Sequence, residues 1–144
     1  AVGLMMISAV AMADDASFGR QIEGTYILKQ ANTTTHSSYR FTPSGGVIWS
    51  ASDQKELAYV PAGGVWKQVG EHAAVARIIS FELDDSGVAV IDMEFNFDED
   101  FRTVSGSFKG GIYPPDVDVN NIKKKPTLTL SNTFTGVRLT YNGD

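Results

Sequence analysis

The sequence predicts an all-β protein, an antiparallel meander closed into a small barrel of about eight strands, with a short N-terminal helical lead-in. Short extended segments follow one another along most of the chain and are separated by turn-forming Gly, Asp, Asn and Pro residues. No stretch keeps apolar residues at helical spacing for three turns. Strands without covering helices must bury their apolar faces against one another, and closing the sheet removes its exposed edges.

The first thirteen residues differ from the rest of the chain. They read AVGLMMISAVAMA, carry no charge, and end in an Ala-x-Ala pattern just before Asp14 and Asp15. This is typical of the apolar region and cleavage site of a secretory signal peptide whose start is missing, and it is shorter than the roughly 20 apolar residues that span a bilayer. We expect a truncated signal peptide over 1–13, a single barrel domain over 14–144, and an exported protein, periplasmic or secreted. The alternative is a hydrophobic helix retained in the fold.

The first half of the domain is expected to hold the helix and four short strands. Residues 14–23, DDASFGRQIE, are the one plausible short helix, because Asp15 or Ser17 can cap it. The segments that follow are rich in β-branched and aromatic residues, and TPSGG at 42–46 supplies the residues of a hairpin turn. The predicted strands are 24–30, 38–41, 46–50 and 64–70.

The second half contains the clearest strand of the chain, VAVIDMEFNF at 88–97. From Ile91 on, apolar and polar residues alternate, as in a strand with one buried and one wet face. LDDSG before it and DEDF after it read as turns, which makes this region a three-strand meander. A tight turn is expected at Ser131 and Asn132, and the loop 113–126 is the longest irregular segment. The predicted strands are 73–83, 88–97, 101–112, 127–130 and 133–141.

Glycines in the strand predicted over 101–112 favour a barrel over a sandwich of two sheets. Gly106, Gly110 and Gly111 lie within this strand or at its end, where glycines mark the bends that a barrel needs. A barrel of about eight strands has an interior that fits side chains or one small ligand.

Two segments near the start of the domain carry a recognisable pattern. IEGTYILKQ places Gly-x-aromatic on the first strand, and YRFTPSGGVIWS at 39–50 forms the next hairpin. Together they resemble the start of small bacterial lipocalin-like, or calycin-type, barrel proteins, in which the motif is usually Gly-x-Trp and the Trp closes the barrel's floor; Tyr26 stands at that place in this chain. The resemblance implies a barrel with an apolar cavity and carries over no catalytic residue. Barrels of the allene oxide cyclase and dirigent type have a similar length and strand content.

Arg77 lies on what the sequence predicts to be an inward face. In AVARIISFEL, residues 74–83, the alternate residues that include Val75, Arg77 and Phe81 form the more apolar set and are expected to face inward. A buried guanidinium must be paired, and its fork of donors matches a carboxylate. Arg77 is therefore predicted to hold the acid group of an apolar ligand, as arginine does in fatty-acid-binding barrels. The alternatives are a bulge that returns Arg77 to solvent and an ion pair with a carboxylate of the protein itself.

Aromatic side chains are expected to line or fill the interior. Cavities lined by aromatic residues with few polar groups are typical ligand sites, and a filled core is the alternative for each residue. Together with Arg77, the predicted ligand-binding residues are Tyr26, Tyr39, Trp49, Trp66, Phe81, Phe95 and Phe108. Phe41, Phe97 and Tyr141 are expected to share the same interior.

Composition argues against several classes of function. The net charge of −5 disfavours binding to nucleic acid, which needs clustered Lys and Arg. The chain has no cysteine, which excludes disulfides and thiolate sites, and His36 and His72 lie in predicted turns without a metal-binding motif. No catalytic residue, metal or cofactor is assigned, and no membrane span is expected.

We therefore expect an exported barrel that binds a small apolar or amphipathic molecule, including acidic ones, in its interior. One alternative is a cyclase or isomerase that uses Arg77 and a tyrosine of the pocket. Another is a non-catalytic structural or partner-binding module with a filled core.

Overall fold

The computed structural model describes residues 17–53, 62–84 and 86–142, and in them the chain forms a closed barrel of eight antiparallel strands, which confirms the predicted fold class. A short helix, α1, spans 17–22 and precedes the barrel. Each strand pairs with the next along the chain, and the last strand returns to the first. The strands are β1 (Gly24–Gln30), β2 (His36–Phe41), β3 (Gly46–Ala51), β4 (Ala62–Gly70), β5 (Ala73–Phe81), β6 (Val88–Phe97), β7 (Thr103–Tyr113) and β8 (Leu128–Arg138). The predicted signal peptide lies outside the described residues.

The last strand differs from its prediction. Residues 127–141 were expected to form two strands around a turn at Ser131 and Asn132, but β8 runs through both residues without interruption. The amide of Asn132 donates to the carbonyl of Ala31 at 3.1 Å, so its side chain links β8 to the end of β1 instead of closing a turn. A continuous β8 also supplies the partner that β7 needs along its whole length, from Thr103 to Ile112.

One end of the barrel, here called the helix end, is closed by α1. Phe18 and Ile22 of this helix are fully buried, and the Phe18 ring contacts Trp66, with 5.7 Å between ring centroids, and Phe101, with 5.5 Å. The apolar side chains of α1 thus close this end of the barrel and keep water out of it. In the described part of the chain, no helix has the length and apolar character required to cross a membrane.

Tyr26 of β1 lies at the helix end of the barrel. Its side chain is fully buried, and its hydroxyl donates to the carbonyl of Phe101 at 3.1 Å. Arg138 lies over the Tyr26 ring, 5.5 Å from its centroid, and donates to the backbone carbonyls of Gln21 and Glu23. These contacts fix α1 to the barrel.

Aromatic rings fill the middle of the barrel around Phe95. Its ring contacts those of Tyr39, Phe41 and Phe134, with 5.2 to 5.8 Å between centroids. Gly106 makes room for this cluster, because a Cβ at this position would lie 2.7 Å from Cζ of Phe134 and 1.9 Å from the carbonyl oxygen of Glu94. A glycine here lets β7 approach its neighbours closely, as glycines in barrel strands do.

Candidate functional site

Arg77 faces outward, so the prediction that it points into the barrel is wrong. The buried residues of β5 are Ala74, Ala76, Ile78 and Ser80, and Arg77 belongs to the other face. Three of these four inward residues are small, because large rings from other strands already fill the space opposite. The more apolar face of this strand is therefore the outer one. The sequence prediction relied on the opposite assumption, that the more apolar face points inward.

Arg77 forms an ion pair on the outer surface of the barrel. Its Nε and Nη2 atoms donate to the two carboxylate oxygens of Asp92 at 2.7 and 2.9 Å, and Nη1 donates to the carbonyl of Val119 at 3.3 Å. The hydrogen bonding that Arg77 donates to Asp92 raises the pKa of Arg77, although partial desolvation lowers it. Of the predicted alternatives, an ion pair with a protein carboxylate is the one that forms, and it forms outside the core. Arg77 is therefore not one of the polar groups of an interior pocket, as the cyclase or isomerase alternative expected.

The third contact of Arg77 holds the loop 114–127, here called the strap, against the outside of the barrel. Val88 and Val90 lie on the outer face of β6, opposite in parity to Phe95, yet both are buried. A Cβ at Gly111, on the outer face of β7, would lie 2.6 Å from Cβ of Pro126 in the strap. The strap therefore packs on the outer face at Gly111, the strand partner of Val90, and Arg77 attaches its middle.

We expect Arg77→Met to loosen the strap without unfolding the barrel. Hydrogen exchange of the amides in 114–127 should accelerate, because the contact with Val119 is lost. The free energy of unfolding should fall by less than about 1 kcal/mol, because both side chains of the Arg77–Asp92 pair are 40 to 45% exposed. Arg102→Met, which breaks the exposed pair with Asp100, is the matched control. Unchanged exchange in the strap, or an equal change in the control, would contradict this role.

Two aromatic residues predicted to share the interior lie outside it. Phe81 continues the outer face of β5 and is 49% exposed, and Tyr141 follows the end of β8 and is fully exposed. The prediction for Phe81 is wrong for the same reason as that for Arg77, because the face of β5 that was expected to point inward points outward. The prediction for Tyr141 is wrong because β8 ends at Arg138, three residues before it.

The other predicted aromatic residues face inward, and most of them are packed solid. Tyr26, Tyr39 and Phe95 are buried in one cluster with Phe41 and Phe97. Trp66 packs against this cluster, and its indole nitrogen donates to the carbonyl of Thr42 at 2.9 Å. The barrel is thus filled at the helix end and in its middle, as the filled-core alternative expects.

The opposite end, here called the far end, is where β1 ends and β2 begins. Three inward side chains there pack against the core but stay partly exposed: Trp49 of β3, Ile91 of β6 and Phe108 of β7. Strands β3 and β7 are four strands apart in either direction round the barrel, so Trp49 and Phe108 approach from opposite walls. Small buried residues stand among them on the inward face, namely Ser37, Ala76, Ser80 and Ala89.

Trp49 differs from Trp66 in the state of its indole nitrogen. Nε1 of Trp49 is buried and has no hydrogen-bond partner in the described part of the chain. Leaving a buried donor unpaired costs about 1–3 kcal/mol, and such groups are rare in folded proteins. Its neighbour Tyr39, with ring centroids 6.5 Å apart, is also polar at its tip, and burial raises the pKa of the Tyr39 hydroxyl. The sequence contains no signal for the unpaired indole, because pairing depends on the final positions of neighbouring carbonyls.

Two grooves on the protein surface lie outside the barrel. One, of about 590 Å³, crosses β4 to β7 between two rows of outward side chains that include Val65, Arg77 and Lys109. The other, of about 740 Å³, crosses β6, β7, β8 and β1 in the same way, with Lys29 and Thr135 in one of its rows. The outward residues that line both grooves place them on the outer surface of the barrel.

The comparisons with known proteins add no assignment. No family model, curated protein or solved structure matches this chain. Within the described ranges, no three His, Cys, Asp or Glu side chains are grouped so that they could hold a metal ion. The resemblance to calycin-type proteins therefore extends to the closed antiparallel barrel of eight strands, and a barrel of this kind does not by itself imply one function.

Proposed function

We propose that the protein is an exported, lipocalin-like barrel that binds a small apolar or amphipathic molecule among the inward side chains of its far end. The observation that carries this proposal is the difference between the two ends. The helix end is plugged by Phe18 and Ile22, while Trp49, Ile91 and Phe108 at the far end are apolar, inward-facing and partly exposed. A concave apolar surface with a few polar groups is the usual form of a small-molecule site.

The site is shallow, because the rings around Phe95 fill the barrel below it. A ligand would rest on this aromatic layer and replace water against Trp49 and Phe108. Arg77 takes no part, since its guanidinium lies on the outer surface and is already paired with Asp92. The acid-binding role predicted for Arg77 is not included in the proposal.

A second candidate is a non-catalytic module that binds a partner protein through its outer surface. The packed interior favours it, as do two large apolar side chains on the outer wall, Ile48 and Val65, which are 60 and 65% exposed. In that case the far end would have no affinity for a small apolar molecule.

Two variants distinguish these candidate functions: one places a positive charge on the inner face of the barrel, and the other places the same charge on its outer face. N-phenyl-1-naphthylamine, a neutral probe whose fluorescence rises in apolar sites, should bind the unmodified protein. Ile91→Lys puts an ammonium group among the proposed ligand contacts and should weaken binding at least tenfold, which is about 1.4 kcal/mol. Ile48→Lys, the same change on the outer face, should leave the affinity unchanged.

Circular dichroism of both variants, compared with the unmodified protein, verifies that they are folded. Absence of probe binding to the unmodified protein would overturn the proposal. So would an equal loss of affinity in the two variants, because the probe would then be bound on the outside of the barrel.

A further inference from the structure

Resting on the proposed function, we infer that the bound molecule is uncharged and carries a hydrogen-bond acceptor, such as a carbonyl, ether or hydroxyl oxygen, that accepts from Nε1 of Trp49. Nε1 of Trp49 is buried and unpaired within the described residues, so a ligand oxygen reaches it by displacing the side chains that cover it. Trp66, the other tryptophan of the chain, already donates to the carbonyl of Thr42 at 2.9 Å. The fold thus satisfies one indole and leaves the other for a group that is not part of the described chain.

The position of the unpaired donor matches the proposed ligand site. Trp49 faces inward on β3 at the far end, and its backbone pairs with that of Tyr39. Its ring lies 6.5 Å from the Tyr39 ring, centroid to centroid, and is part of the partly exposed layer above the filled core. An acceptor that reaches Nε1 would therefore belong to a molecule that also contacts the apolar side chains of this layer.

The charge of the molecule follows from the side chains around it. On the strands, the described inward residues of the far half include no Asp, Glu, Lys or Arg. The polar residues there are neutral: Gln30, Ser37, Tyr39, Ser80 and Asn132. Burial raises the pKa of the Tyr39 hydroxyl, so this group also stays neutral at ordinary pH. An ionic group held among these strand residues would lose its hydration without an oppositely charged strand residue beside it; Asp53, whose charge also raises the pKa of Tyr39, lies beyond the end of β3.

The test uses two probes that differ only in the acceptor. 2-Acetylnaphthalene carries a carbonyl oxygen, whereas 2-ethylnaphthalene has nearly the same size and shape and none. In protein labelled with nitrogen-15, the two indole N–H signals are resolved by nuclear magnetic resonance. We expect the ketone to shift the Trp49 indole signal downfield and the hydrocarbon to leave it without a hydrogen-bond shift. The Trp66 indole signal is the internal reference and should stay in place with both probes.

Trp49→Phe supplies the second measurement, because it removes the donor and keeps an aromatic ring. The ratio of the two dissociation constants, ketone to hydrocarbon, should rise about fivefold in this variant, the usual effect of one hydrogen bond. If both probes bind but the Trp49 signal shows no specific shift and the ratio is unchanged, the inference is overturned and the proposed function stands. If neither probe binds, both are overturned.

Discussion

Replacing Phe95 by Ala is expected to lower the free energy of unfolding by about 3–5 kcal/mol, as measured by urea denaturation. Phe95 is buried, and its ring contacts those of Tyr39, Phe41 and Phe134. Truncation to Ala removes these contacts and leaves a cavity in a layer that cannot collapse without moving several rings. Phe95→Leu, which keeps most of the volume, should cost about 1–2 kcal/mol and serves if the Ala variant does not fold.

The matched control for Phe95 is Phe81, one strand away and of opposite orientation. Phe81→Ala should cost about 1 kcal/mol or less, because the ring is 49% exposed on the outer face of β5. The comparison also tests which face of β5 points inward. If Phe81→Ala were as damaging as Phe95→Ala, the more apolar face of this strand would be the buried one, and the assignment of Arg77 to the outside would be wrong.

Alkaline pH is expected to destabilise the protein through Tyr26. Burial raises the pKa of Tyr26 to about 12, although the charge of Arg138 lowers it in part. The phenol is more acidic in the unfolded chain, where its pKa is near 10.0. Its contribution to stability is therefore fully present below pH 10 and is lost as the pH rises from 10 to 12. By pH 11.5 the loss from this group should reach about 2 kcal/mol.

Tyr26→Phe isolates this contribution from those of other groups, including Tyr39. At pH 8 the variant should be less stable by about 1 kcal/mol, because the hydrogen bond to the carbonyl of Phe101 is lost. At pH 11.5 the order should reverse, since the variant has no phenol to ionise at this position. Tyr141→Phe, at a fully exposed position, controls for the loss of a tyrosine as such. A constant difference between wild type and Tyr26→Phe over this pH range would contradict the assignment.

How far the sequence predicts this structure depends on how clearly each strand separates its two faces. In β6 the outward residues Asp92, Glu94 and Asn96 are polar, so parity is unambiguous and the buried face was predicted correctly from Ile91 on. In β5 both faces are apolar, and the choice between them depends on the volume available inside the barrel. That volume is determined by the rings of other strands, which a single strand's pattern does not contain.

Covering segments outside the barrel limit prediction in a second way. Val88 and Val90 are buried on the outer face, where the strap packs against Gly111 of the neighbouring strand, so apolar residues on that face no longer signal the core. The strap was predicted as the longest irregular segment, but its attachment through Arg77 and Val119 joins residues 42 positions apart. The closed barrel, the helical lead-in and the inward aromatic residues at the helix end follow from the sequence pattern. The unpaired indole of Trp49 does not, because it is a property of the assembled interior.

The most direct measurement of the central claim is the position of a bound apolar molecule in a crystal. 6-Bromo-2-acetylnaphthalene can be soaked into crystals and located by the anomalous scattering of its bromine. We expect the bromine among the inward side chains of the far end, near Trp49, Ile91 and Phe108. The claim that the far end binds the ligand would be contradicted if the bromine were found only in the grooves outside the barrel or beside α1. It would also be contradicted if no bromine were found at a concentration that saturates binding in solution.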